Sequence, residues 1–198
     1  MGLSFDDLEG QTPLDEDEKL GLLIPTIATR GELDEFEQQN IELAIQWTLG
    51  RSLTPETIFT EKFIRMLHFR MYSKVWSWAG EFRKTNKNIG IDKWQIPVDL
   101  RQLFDDALFW HKHHSFQPDE IAVRFKHRLV SIHCFANGNG RHSRLMADII
   151  MENVYKLPVF TWGAANLSSH GNIRETYIQA VKSADKGDYQ PLLDFART

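Results

Sequence analysis

Residues 133–144 read HCFANGNGRHSR. A histidine stands five residues ahead of a Gly-Asn-Gly turn, and two arginines follow the turn at an interval of three. Taken singly, each group has an ordinary structural explanation. Gly and Asn dominate turns for local reasons, arginine pairs at i, i+3 decorate many exposed helix faces, and a histidine at a helix end is commonly structural. In this order they are the parts of an anion site beside a base. If the glycines lead into a helix N-terminus, unpaired N–H groups and the positive end of the helix dipole attract phosphate. Glycine also lets the main chain approach a phosphate with no Cβ in the way and permits the positive φ of an anion-binding nest. Arg141 and Arg144 share one side of that helix, and two guanidinium forks suit a polyphosphate better than a single carboxylate. His133, at the lip of the turn, is placed where a neutral imidazole takes a proton from an incoming nucleophile. A Walker A loop is excluded, because its lysine and adjacent Ser/Thr are missing.

Two helices must hold this turn. Gln117-Pro118-Asp119-Glu120 opens the first, whose Ile121, Phe125, Leu129 and Ile132 fall on one buried stripe. The second runs over Arg141–Tyr155 with Leu145, Met146, Ile149 and Ile150 as its apolar side. Upstream, Leu33–Leu49 predicts a helix with Phe36, Ile41, Ala44, Ile45 and Thr48 near one face, stopped by Gly50. Thr54-Pro55 opens another, carrying Ile58, Phe59, Phe63, Met66, Leu67 and Met71. Helix resumes over 97–114, and further helices are expected near 172–185 and 189–197. The stretch WSWAGEFRKTNKNIGIDKWQIP, residues 76–97, mixes Gly and Asn with Ile89, Ile91, Trp94 and Ile96. It predicts a loop with a short two-stranded hairpin. Residues 1–31 read as loop, punctuated by Gly and Pro. The class is mainly α.

With 198 residues, 42% of them hydrophobic, the chain can build a real core. A net charge of −4 gives no sequence-independent hold on nucleic acid. One cysteine, Cys134, excludes an intrachain disulfide and, with no leader-like apolar start, points to a reducing cytoplasm. No run approaches the roughly 18 apolar residues of a membrane helix. His111 and His114 share a helix face, but no carboxylate or thiolate there completes a metal site.

The order H-x-F-x-x-G-N-G-R-x-x-R resembles the signature of the Fic family, H-P-F-x-[D/E]-G-N-G-R-x-x-R, at His133, Phe135, Gly138, Asn139, Gly140, Arg141 and Arg144. WAGEFR at 78–83, the segment after it, and Tyr177…Ala184-Asp185-Lys186-Gly187-Asp188 with Pro191-Leu192 resemble further landmarks in the same order. The resemblance covers residues 35–198, with 1–34 as an N-terminal extension for which a regulatory role is one option. TPLDEDE and TRGELDEFEQQNI most resemble Fic proteins of bacterial mobile elements called mobile mystery protein B, where a toxin-like role is the expectation. The resemblance implies a Fic-fold helical bundle with a β-hairpin flap and transfer of AMP from ATP to a hydroxyl of a target protein. It makes His133 the general base. Asn139 and the Gly138 and Gly140 amides would hold the α/β-phosphates, Arg141 the β-phosphate and Arg144 the γ-phosphate. Phe135 would anchor the loop, Ile89-Gly90-Ile91 would dock the target chain by strand addition, and Tyr177 and Asp185 would lie near the nucleoside. No nucleic acid or membrane partner is implied.

Two positions depart from that pattern. Cys134 replaces proline, reading as a small buried hydrophobe or, alternatively, a catalytic thiol. Asn137 replaces the carboxylate that binds Mg²⁺, leaving a neutral amide as a weak metal ligand. A restraining [S/T]-x-x-x-E-[G/N] helix is not matched cleanly: Ser4…Glu9-Gly10 has one residue too many, and Thr12-x-x-x-Glu16 is followed by Asp17. Control then falls to a regulatory or antitoxin partner, or to a divergent N-terminal segment. Two alternatives stand beside AMP transfer: a non-catalytic nucleotide- or partner-binding module, and transfer of another phosphate-containing group.

Overall fold

The computed structural model describes residues 14–163 and 170–198. Its order is α1 (Glu16–Lys19), α2 (Arg30–Leu49), α3 (Pro55–Ile58), α4 (Glu61–Tyr72), α5 (Ile96–His113), α6 (Pro118–Ile132), α7 (Asn139–Ile149), a π-helical turn (Ile150–Tyr155), α8 (His170–Ala184) and α9 (Gln190–Arg197). The chain is mainly helical, as the periodicity predicts.

Helix α6 is the axis of the bundle. It buries Ile121, Ala122, Val123, Phe125, Leu129 and Ile132 and packs on α5, α7 and α9. A helix buried on so many sides is a core helix, and each large apolar side chain removed from water contributes about 1.5–3 kcal/mol. Pro118 fits its first turn, where the missing N–H leaves no bond unmade. It ends at His133, which takes the left-handed conformation at φ 56°. Helix α7 begins six residues later, after Gly138 at φ 77°. The chain therefore reverses tightly between the two helices.

The helix expected from Pro55 through Met71 is two helices. Phe59 leaves the helical region at ψ 59°, and Thr60 starts afresh, its hydroxyl accepting the Phe63 N–H at 3.2 Å. A good N-cap inside an apolar stripe overrides the periodicity. Helix α2 buries Ile41, Ala44 and Thr48 as expected but is rotated so that Phe36 and Ile45 face outward. Leu33, Glu37, Asn40, Ile41, Ala44 and Thr48 are buried, while Phe36 is 39% and Ile45 37% exposed. The expected hairpin does not form: among the described residues the pairing is limited to isolated bridges, Leu22 with Trp76 and Phe82 with Phe135. In residues 84–95 side chains satisfy the main chain instead. Asn86 accepts the Lys93 N–H at 2.8 Å, Asp92 accepts the Trp94 N–H at 2.9 Å, and Lys93 Nζ donates to the Lys84 carbonyl at 2.7 Å. Local bonds of this kind compete with a strand ladder.

Among the described residues no helix is long and apolar enough to cross a membrane.

Candidate active site

The turn between α6 and α7 is built from bonds that use up its own polar groups. Asn139 is 4% exposed; its Oδ1 accepts the Phe135 N–H at 3.0 Å and its Nδ2 donates to the Phe135 carbonyl at 2.8 Å. Its side chain thus shapes the loop, with one Nδ2 proton and the main-chain N–H remaining for an anion. The Phe135 ring is fully buried and stacks on His68 at 3.8 Å. His68, from α4, grips the loop a second time. The Gly80 N–H donates to its Nδ1 at 2.9 Å, so Nε2 carries the proton and donates to the Asn137 carbonyl at 3.0 Å. Burial, with the neighbouring His142 next in effect, holds His68 well below the usual histidine range, so it stays a neutral hydrogen-bonding group. Gly138 is required by space as well as by φ: a Cβ there would lie 2.5 Å from the buried Tyr72 ring. Gly140 faces open space.

One cavity of about 540 Å³ collects most of the expected residues. The turn supplies His133, Asn137, Gly138, Asn139 and Gly140, and α7 supplies Arg141 and Arg144. Helix α2 adds Arg30 and Asp34, and α8 and α9 add Tyr177, Arg174 and the apolar Ile173, Ile178 and Phe195. Arg141 is fixed from behind. Its guanidinium meets Glu37 of α2 at 2.5 Å, and the other oxygen of Glu37 accepts the Trp76 indole N–H at 2.6 Å. His133 is 5% exposed. Burial, against a hydrogen bond with the Val130 main chain, pushes its imidazole down to about 4, so it is neutral at ordinary pH. Cys134 is 1% exposed, and burial pushes its thiol up. It is a neutral packing group, not a nucleophile.

Asp185 is elsewhere. It lines a neighbouring cavity of about 470 Å³ with Ile91, Arg124, His127, Ser131 and Tyr189, and its carboxylate meets His127 Nε2 at 2.8 Å. Tyr177 and Asp185 therefore do not share one pocket. The segment Ile89–Ile91 does reach the site. Gly90, at φ 96°, passes so close that a Cβ would lie 2.6 Å from the His133 Cβ. Arg83 ties the segment to the turn: its guanidinium donates to the carbonyls of His133 at 2.6 Å, Thr85 at 2.8 Å and Ile91, while its N–H donates to the Cys134 carbonyl at 3.0 Å. On the far side Lys87 sits between Asp15 at 3.0 Å and Glu18 at 2.5 Å. The N-terminal segment thereby braces the flap, while Ser4…Glu9-Gly10 and Thr12 lie outside the described residues.

The residues present do not build a Mg²⁺ site. Asn137 Oδ1 accepts the N–H of Gly138 at 2.5 Å, and Asp34, the carboxylate lining the cavity, pairs with Arg30 at 3.2 Å. Among the described residues no three His, Cys, Asp or Glu groups gather as metal ligands. His113 packs on Phe109 and His111 on Tyr155.

Glu37, His68 and Arg83 were not singled out from the sequence. For Glu37 a signal existed: it stands midway between Leu33 and Ile41 on the buried face of α2.

Comparison with known proteins agrees with this geometry. The chain is 30% identical over 168 residues to the protein adenylyltransferase Fic of Drosophila grimshawi, a match covering 82% of this chain and 33% of that protein. It thus spans about a third of the length of the curated relatives it matches. Among solved structures, Fic-1 (residues 134–508) of C. elegans superposes with a TM-score of 0.68 at 22% identity, covering 90% of this chain and 51% of that one. The BepC protein of Bartonella tribocorum, with bound AMPPNP, superposes with a TM-score of 0.66 at 18% identity, covering 92% and 97%. The family model of the Fic/DOC family matches residues 58–151, a span that holds α4, α6, α7 and the whole of the turn between them: this chain carries a Fic/DOC family domain.

Proposed function

We propose that the protein transfers AMP from ATP to a hydroxyl side chain of a target protein. One observation carries the reading: a single cavity holds a neutral buried histidine, a glycine turn at a helix N-terminus and two arginines on the same helix. The Drosophila relatives bear the name protein adenylyltransferase, and BepC binds an ATP analogue. In the proposed step the target oxygen bonds to the α-phosphorus, the α–β phosphoanhydride bond breaks, and pyrophosphate leaves. His133 takes the hydroxyl proton. Its depressed basicity rises once phosphates place negative charge beside the ring. The N–H groups at Gly138–Gly140 and the guanidinium groups of Arg141 and Arg144 receive the phosphates, and Glu37 keeps Arg141 aimed. This is positioning and charge stabilisation, most of what phosphoryl-type transfer asks of a protein.

The segment Ile89–Ile91 lies over His133 and is the surface we assign to the target chain. The nucleoside would leave the phosphates past Tyr177, with the base reaching the neighbouring cavity where Asp185 offers an acceptor. The N-terminal resemblance to mobile mystery protein B supports a toxin-like role in a bacterial cytoplasm under a partner's control, and α1 bracing the flap gives such a partner a place to act. The test is incubation with a cell lysate and ATP labelled at the α- or the γ-phosphate. Protein label from the α-position alone is expected. Label from the γ-position alone would replace this reading with phosphorylation, and no label from any nucleotide with a validated target would favour the binding-module alternative.

A further inference from the structure

Lys126 is 0% exposed, in the middle of α6. Burying an ammonium group is costly unless a counter-charge meets it, and among the described residues only the weaker, distant pull of Asp185 acts on it. Among the described residues no carboxylate forms an ion pair with its amine. Nζ donates to the Tyr177 hydroxyl at 2.6 Å and lies 4.5 Å from the Tyr177 ring centre. The Arg144 guanidinium stands 5.6 Å from that same ring, so one aromatic ring is flanked by two basic groups. The surroundings are as follows: α7 brings Arg144, α8 brings Tyr177, and the turn after α8 brings Asp185, which is already bonded to His127 of α6. Helix α9 adds the Phe195 ring, 5.4 Å from Tyr177. Lys126 does not line the cavity; Tyr177 and Arg144 do.

We infer that Lys126 is a positioning residue of the anion cavity, acting through Tyr177, and that it takes up a proton when a polyphosphate settles on Arg144. The inference rests on the nucleotide-binding part of the proposed function but names a group that reading leaves out. In the protein itself, burial first and the Arg144 charge second hold the amine well below the usual lysine range, so the uncharged amine is the form that fits. An incoming polyphosphate neutralises Arg144 and places negative charge beside the Tyr177 ring. The ammonium form then has its counter-charge, and binding and protonation favour each other. A protonated Lys126 can only donate to Tyr177. The tyrosine oxygen is thereby held as the acceptor it already is, and its own proton points elsewhere.

The experiment is calorimetry of ATP binding to the whole chain at constant pH in two buffers of different ionisation heat. The wild-type protein should take up a large fraction of one proton per ATP, and Lys126→Met should bind ATP with that uptake abolished. Equal uptake by the variant would overturn the inference, as would ATP binding to the wild type with no uptake; neither result touches AMP transfer. Should the variant not fold, ¹⁵N-lysine NMR of the wild type reads Nζ directly. A change from the amine to the ammonium region on adding ATP supports the inference, and an unchanged resonance overturns it. If ATP does not bind the wild type at all, both this inference and the proposed function fall.

Discussion

Residues 133–138 and residues 84–95 approach each other at His133, and they are held by different means. The first loop is fixed from inside. Asn139 and His68 occupy its carbonyl and amide groups, Phe135 stacks on His68 and meets His142 edge-on, and Tyr72 presses on Gly138. The second is tied by Arg83 at Thr85 and Ile91, by Lys87 to Asp15 and Glu18 of the N-terminal segment, and otherwise by exposed polar side chains of its own; Ile89 is 41% and Trp94 80% exposed. A loop that must place a base and a phosphate nest needs one shape, and buried neutral groups give it one. A segment that must accept a varied peptide gains from bonds that exchange readily with water.

The contrast can be broken at four points. His133→Ala should lower transfer by about 10²–10⁴-fold, the usual worth of a general base, while nucleotide affinity stays within a few-fold. Equal activity in a labelled-ATP assay would remove His133 from its role. Next in size is Gly138→Ala, whose Cβ meets the Tyr72 ring at 2.5 Å with φ at 77°. Overpacking and a left-handed alanine should together cost roughly 2–4 kcal/mol, read as a lower midpoint in urea.

Acid gives the third point. Burial holds His133 and His142 down to about 4 and His68 well below its usual range. Between these values and the ordinary 6.5, the unfolded chain binds more protons than the folded one. Stability is therefore complete above about pH 6.5 and falls as the pH drops toward 4, by up to about 1.4 kcal/mol per pH unit for each histidine. Hydrogen exchange should report the loss first at 133–138, whereas 84–95 carries no histidine and should change little. The smallest effect is expected from Gly90→Ala. Its Cβ would collide with His133 at 2.6 Å, but the exposed flap can lift, at about 1 kcal/mol. Target transfer should fall with ATP affinity unchanged, and a stability loss as large as that of Gly138→Ala would erase the distinction between the loops.

The site was legible where its residues are sequence neighbours. Twelve consecutive positions carry the base, the nest and both arginines, so one turn between two helices brings them together whatever the rest of the fold does. Legibility failed where a polar side chain works from a buried face. Glu37, His68 and Lys126 look like surface residues until Arg141, Asn137 and Tyr177 arrive from distant segments to meet them. The hairpin failed for the opposite reason: Ile89 and Ile91, then Trp94 and Ile96, alternate as two short strands would, but Asn86 and Asp92 had already claimed the main-chain bonds. Asp185 follows the family's spacing, and only the fold reveals that it bonds His127 and lines a different cavity from Tyr177.

The pairing of Glu37 with Arg141 spans 104 residues of sequence, which bears on how the chain is made. At ~5–20 residues per second of synthesis, Arg141 leaves the ribosome about 5–20 s after Glu37. During that interval α2 has a carboxylate on the face it must bury and no cation to meet it, so it cannot close on its neighbours at a low energy. The last partner to emerge is also the one that completes the phosphate cradle. The same ion pair thus completes the buried face of α2 and aims Arg141 into the cavity, so a nascent chain that ends before α7 lacks both.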